Sequence, residues 1–313
     1  MTPKYQPADS MKSPRFAGVR TFARLPHVTT LESVDLAVVG VPFDTGGTYR
    51  VGARFGPESI RSASALLRPY NPALEVDVFD SISCIDFGDL DVVPGYLPEA
   101  HAQITEAAQP LFAADVVPIF LGGDHSVSLP LLRAAAAQHG PLALVHFDSH
   151  SDLWHGYYGG KDTHGTPFRR AVEEGLVDVD HSIQVGLRGS VYDAADARMT
   201  TEVGMELITG PELHAVGMAA ATERIRARVE GVATYVTFDI DFVDPAFAPG
   251  TGTPEVGGFT GYESLQLVRG LRGLDIRSFD LVEVMPMYDP TGVTSLLAAN
   301  LAHEFMALTA LRS

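Results

Sequence analysis

Short runs of apolar residues without polar alternation recur along the chain, the first being DLAVVGV at 35–41. Runs of this length and evenness are those of strands covered on both faces. They predict strands over 35–41, 82–87, 116–121, 142–147, 182–187, near 205–208, 234–240 and 276–284. Between them the apolar positions shift to helical spacing, predicting helices over 57–67, 98–114, 127–138, 211–229, 260–271 and 293–311. Pro57 suits a first helical turn, and Gly140-Pro141 a helix end. Strand and helix alternate throughout, which predicts one α/β domain with a mostly parallel sheet over residues 26–313. The first 25 residues, rich in Pro, Lys and Ser, read as an N-terminal arm lying on the surface or against another subunit.

Several of these runs end in polar clusters, and open parallel sheets bind ligands just beyond the carboxyl ends of their strands. The stretch LALVHFDSHSD at 142–152 passes into Asp148, His150 and Asp152. Alternate residues of an extended chain point to one side, so these three donors should converge. A solvated acidic turn would also fit this stretch alone. The strand ending near 240 carries Asp239 and Asp241, again two apart. Carboxylates so close resist burial unless a cation compensates. The strand ending at Leu121 leads through Gly122, Gly123 and Asp124 to His125. Taken together, His125, Asp148, His150, Asp152, Asp239 and Asp241 offer two imidazoles and four carboxylates, a set fitted to two divalent cations. Oxygen-rich ligands suit Mn²⁺, with Ni²⁺, Co²⁺, Fe²⁺ and Zn²⁺ as alternatives. A metal pair lowers the pKa of a bridging water and presents it as hydroxide, so the residues point to a dinuclear metal hydrolase. Glu283 stands in an apolar segment with no basic neighbour in sequence, and either pairs across the fold or faces a ligand.

The 313 residues are 46% hydrophobic and 19% charged, with a formal net charge of −17. That composition supports a sizeable core and argues against nucleic acid and anionic membrane surfaces as partners. The single cysteine, Cys84, rules out an intrachain disulfide and reads as a buried thiol rather than a nucleophile. Neither a signal peptide nor a membrane span is recognisable, so a cytoplasmic protein is expected.

The motifs GGDHS at 122–126, FDSHSD at 147–152 and FDIDFVDPAFAPGTGTPEVGG at 238–258 strongly resemble those of the ureohydrolase (arginase/agmatinase) family. The resemblance extends to GARFGP at 52–57, THGTPFRRA at 163–171 and LVEV at 281–284. It implies a three-layer α-β-α domain with a central parallel sheet of about eight strands, a dimanganese centre, and hydrolysis of a guanidino group to urea and an amine. One metal would take His125, Asp148, Asp152 and Asp239; the other would take Asp148, His150, Asp239 and Asp241, with Asp148 and Asp239 bridging. Asp241 would hold or accept a proton from the hydroxide. His164 would assist proton transfer to the leaving amine, and Glu283 would pair with the guanidinium. The family often forms trimers or hexamers, so a homo-oligomer is expected.

The loop LWHGYYGGKDTHGTPF at 153–168 lacks the Asn- and Ser-rich stretch with which arginases grip arginine, and its HGTPFRRA form resembles agmatinases, guanidinobutyrases and proclavaminate amidinohydrolase. Agmatine, cleaved to putrescine and urea, is the leading expectation. The alternatives are a guanidino acid, which Lys161, Tyr157 and Tyr158 would clamp, or a small N-alkyl guanidine or biguanide. The last would suit a mouth made apolar by Trp154, Met285 and Met287. A catalytically idle homologue acting as a partner subunit is the alternative of another class, although none of the six ligands is missing.

Overall fold

Alternate residues of each central strand belong to two different apolar cores, which is why the strand sequences show no polar alternation. Leu36 and Val38 pack into one core, Ala37 and Val39 into the other. Each buried Leu or Val among them contributes about 1.5–3 kcal/mol. The structure, a computed structural model, describes residues 3–312. Its strands are β1 (Leu36–Gly40), β2 (Tyr70–Asn71), β3 (Val76–Asp77), β4 (Cys84–Asp89), β5 (Val117–Leu121), β6 (Ala143–Phe147), β7 (Ile183–Leu187), β8 (Glu206–Thr209), β9 (Thr234–Asp239) and β10 (Ile276–Val282). Eight form one sheet in the order β4-β1-β5-β10-β9-β6-β7-β8, and every pairing within it is parallel. The last strand in sequence, β10, thus lies in the middle, between β5 and β9.

Helices cover both faces. Gly56–Ser64, Gly210–Val229, Gly261–Gly270 and Val293–Ala310 pack on one; Leu97–Ala113, Ser128–His139 and Pro167–Glu173 pack on the other. The eight sheet strands and six of these helices are those expected from the sequence, with ends shifted by up to about three residues. Four features differ. The antiparallel pair β2–β3 and the helix Pro167–Glu173 are too short for a periodic signal; the latter starts on Pro167 and buries Phe168 and Ala171. The helix Gly210–Val229 is broken at Gly217 (φ 80°). The strand expected over 276–284 stops at Val282, because Glu283 takes a left-handed backbone (φ 63°).

Of the arm expected over residues 1–25, residues 1 and 2 lie outside the described range. Tyr5 exchanges hydrogen bonds with Ser83 and Cys84, and Phe22 and Leu25 enter the core, whereas Met11, Phe16 and Val19 are exposed. Cys84 is fully buried and free, and its surroundings push the thiol pKa well above its ordinary value. No helix among the described residues is long and apolar enough to cross a membrane.

Candidate active site

The polar clusters follow β5, β10, β9 and β6, four strands adjacent at the centre of the sheet. They therefore open into one crevice although they are far apart in sequence. At the end of β5 the backbone must pass close to its neighbours. A Cβ at Gly123 would lie 1.6 Å from the carbonyl oxygen of Phe43, so only glycine fits. The turn then delivers Asp124 and His125, with Glu283 N donating to the Gly123 carbonyl at 2.9 Å.

His125 is buried, and its Nδ1 faces oxygens of Asp148 at 3.0 Å, Asp152 at 3.0 Å and Asp239 at 3.2 Å. Its Nε2 is occupied by the Thr237 hydroxyl at 2.9 Å. His150 Nδ1 lies 3.0 Å from Asp241 and 3.5 Å from Asp148. Asp148 thus faces both histidines, one with each oxygen. All six residues expected as ligands are brought together.

The means differ from expectation. Asp148, His150 and Asp152 do not converge by strand alternation, since β6 ends at Phe147. Instead Asp148 Oδ1 accepts the His150 backbone N–H at 2.6 Å, turning the chain, and Asp152 adopts a left-handed backbone (φ 51°). Likewise Asp239 Oδ1 accepts from Asp241 N at 2.8 Å and starts the short turn Ile240–Phe242. Left-handed non-glycine residues such as Asp152 and Glu283 carry strain of about 1–3 kcal/mol each and collect at functional sites.

Charge is poorly balanced within this cluster. Burial opposes protonated imidazoles, yet the facing carboxylates of Asp148, Asp152 and Asp239 hold His125 well above its ordinary pKa, and those of Asp241 and Asp148 do the same for His150. Burial and the charges of Asp241 and Asp148 push Asp239 well above the usual carboxylate range; burial and Asp148 also raise Asp241. Burial opposes the Asp148 carboxylate too, but the adjacent His146 and the facing His125 and His150 imidazoles hold it well below. Two buried atoms, His125 Nδ1 and Asp241 Oδ2, have no hydrogen-bond partner. Donors crowded around such points fit divalent cations, with protons standing in for them.

Glu283 is buried; its Oε1 accepts from the His125 backbone N–H and from His164 Nδ1, both at 2.9 Å. Its Oε2 has no hydrogen-bond partner. Burial disfavours a charged His164, but the Glu283 carboxylate outweighs this and raises its pKa to about 9. His164 Nε2 lies 2.7 Å from the Thr48 hydroxyl. Burial and the nearby Glu283 raise Asp124 to about 7, while Gly46 N and Ser126 donate to it.

A cavity of about 640 Å³ opens above these groups, lined by His150, Asp152, His164 and Asp239, and towards its mouth by Trp154, Tyr157 and Tyr158. Tyr192 joins Trp154 and Tyr157 in a cluster with ring centroids 5.8–6.3 Å apart. Met285 and Met287 do not line it. Met285 is buried with its methyl against Gly252, and Met287 is half-exposed against Gly52. Lys161 is exposed and away from the cavity wall, where Arg50 and Glu255 stand instead.

Sequence reasoning missed Arg50, Thr48, Tyr192 and His146. His146 was legible: His146, Asp148, His150 and Asp152 share one spacing of two, and His146 Nε2 lies 2.7 Å from Asp148 Oδ2. Thr48 and Arg50 sit in the loop before GARFGP, and nothing local marks them.

A parallel sheet that gathers buried imidazoles and carboxylates at the carboxyl edge of its central strands defines an α/β protein able to hold a dinuclear metal centre. The chain belongs to the arginase family, whose sequence pattern it matches over residues 34–308, and it is a guanidino hydrolase of that family. It is 43% identical to a guanidinobutyrase of Pseudomonas aeruginosa, over 97% of this chain and 96% of that one. It is also 43% identical to a mitochondrial agmatinase of Gallus gallus, over 94% and 86%. The solved structure of proclavaminate amidino hydrolase from Streptomyces clavuligerus superposes with a TM-score of 0.92 at 40% identity, covering 96% of this chain and 100% of that one.

Proposed function

We propose that the protein hydrolyses a guanidino acid to urea and an amino acid, using two divalent ions, Mn²⁺ by preference. The ions would be held by His125, Asp148, Asp152 and Asp239 on one side and by Asp148, His150, Asp239 and Asp241 on the other. Bound there, they supply a hydroxide at neutral pH. The planar guanidinium docks on Glu283, whose Oε2 is buried and unpaired. Asp241, whose Oδ2 is buried and unpaired, would orient the attacking oxygen and hold the proton it gives up. His164, charged while it faces the Glu283 carboxylate, gives a proton to the departing amine nitrogen. Trp154 and Tyr157 wall the hydrocarbon stem and exclude water.

The observation that carries the choice of a guanidino acid is Arg50. Its side chain lines the cavity and donates to the Thr251 carbonyl at 3.2 Å. It stacks on Tyr49 and Tyr288 and pairs with no carboxylate among the described residues. A substrate carboxylate completes it, and the guanidinobutyrase relative is consistent with such a tail. Agmatine is the second reading, because Glu255 lines the same cavity and would suit a terminal ammonium. Urea release from agmatine, 3-guanidinopropionate, 4-guanidinobutyrate and an N-alkyl guanidine separates the readings. Arg50→Met should raise KM for the preferred guanidino acid about 10–100-fold, the weight of one charge-assisted hydrogen bond, with little change for agmatine. Preference for agmatine, together with sensitivity to Glu255→Gln, would select the second reading. Silence across the panel would favour an idle subunit.

Metal loading should be linked to pH. His125, His150, Asp239 and Asp241 hold protons more tightly than usual without ions. Ions must displace those protons, so apparent affinity rises with pH and loading releases protons. Calorimetry in buffers of different ionisation enthalpy measures the release; metal uptake without proton release would contradict this reading. We extend the proposal to a cytoplasmic homo-oligomer whose contacts cover the exposed apolar residues Phe55, Leu66 and Leu296; sedimentation gives its size.

A further inference from the structure

Beneath the metal cluster lies a fully buried polar chain that the proposed reaction does not use. Gln184 on β7 stands opposite His146 on β6 in the parallel register, and both side chains are fully buried. Gln184 Nε2 lies 2.7 Å from His146 Nδ1 and 2.7 Å from the backbone carbonyl of Ser151. Its Oε1 lies 2.5 Å from the Thr200 hydroxyl. The Ser151 carbonyl only accepts, so it identifies the NH₂ face of the amide; Thr200 then donates to Oε1. The second amide hydrogen points at His146 Nδ1, which must be the bare nitrogen. The imidazole proton therefore sits on Nε2, from which it is donated to Asp148 Oδ2 at 2.7 Å.

We propose that Gln184 is a positioning residue that sets one half of the metal centre and makes His146 a support rather than a ligand. Resting on the metal assignment above, this inference goes further by giving the two ions different supports. Through His146 the amide orients Asp148; through the Ser151 carbonyl it pins the residue next to Asp152, whose backbone is left-handed. Asp148 and Asp152 both face His125 Nδ1 at 3.0 Å. The other half is held separately, by Ser149, whose N–H and hydroxyl donate to Asp241 Oδ1 at 3.1 and 2.7 Å. Although His146 lies close enough to share an ion with His125, Asp148 and Asp152, its near nitrogen is committed to a proton. Histidines and carboxylates around a metal are commonly oriented by such outer hydrogen bonds.

The test compares the parent with Gln184→Glu, which keeps the shape but can donate to at most one of the two acceptors, and with Gln184→Met, which can donate to neither. Mn²⁺ and Co²⁺ binding is followed by chelator competition, with the visible spectrum of the Co²⁺ protein reporting ligand geometry. The ion beside His125, on the Asp148 oxygen that His146 holds, should bind about 10–100-fold more weakly in both variants, while the ion beside His150, which meets the other Asp148 oxygen, should lose clearly less. Equal affinities for both ions, or equal loss of both in a folded variant, would overturn the proposal. If the variants do not fold, ¹⁵N spectra of the histidine-labelled, Zn²⁺-loaded parent decide it. His146 should show a protonated Nε2 and a bare Nδ1, and a metal-bound Nε2 would overturn the assignment. A parent that takes up no ions at all would instead overturn the metal reading itself.

Discussion

Asp148→Asn should leave a folded protein that holds neither ion firmly and whose kcat/KM falls by on the order of 10³-fold or more, the several kcal/mol that metal activation of water contributes. Asp148 faces His125 with one oxygen and His150 with the other, so one neutralised side chain weakens both subsites at once. The amide also introduces an NH₂ group where one oxygen accepts from His150 N and the other from His146. At least one of those hydrogen bonds becomes a donor facing a donor. Elemental analysis after loading and dialysis, alongside urea release, measures the two effects. Full occupancy with parental turnover would remove Asp148 from the centre. Asp239→Asn should act in the same direction but more weakly on the His150 side, since the histidine it faces is His125.

Glu283→Gln should separate recognition from metal binding. Glu283 lies beside the proposed ion ligands and touches His125 only through its backbone N–H, so both ions should remain. What is lost is the buried charge facing the guanidinium and the partner of His164 Nδ1. Removing one member of a buried, hydrogen-bonded charge pair costs about 2–5 kcal/mol, so kcat/KM should fall about 10²–10³-fold, with KM rising. The His164 pKa should drop from about 9, because the carboxylate that raises it is gone. His164 then stays protonated only at lower pH, and any residual activity loses its alkaline plateau earlier. Unchanged kinetics with the guanidino panel would exclude Glu283 from substrate binding.

The sheet was readable because its strands are covered on both faces and so carry uninterrupted apolar runs; the residues that leave those runs, such as Asp148 and Asp239, were readable for the same reason. Geometry was less legible. The alternation of Asp148, His150 and Asp152 suggested an extended chain, whereas hydrogen bonds from side chain to backbone and a left-handed Asp152 bring them together. Glu283 looked like a strand residue because its neighbours are apolar, and its left-handed backbone leaves no trace in composition. Thr48, Arg50 and Tyr192 reach the cavity only through tertiary packing, so no local spacing announces them. Met285, conversely, looked like a candidate wall and is packed behind Glu283, against Gly252.

The placement of β10 has a consequence for how the protein matures. The strand made last is inserted between β5 and β9, so a chain still emerging from the ribosome holds His125 and the pair Asp148 and Asp239 on two unjoined slabs. Parallel strands so distant in sequence close slowly. Joining the two halves of the site therefore requires β10, and a chain cut before Ile276 is expected to be inert rather than partly active, as urea release and metal content of that truncation would show.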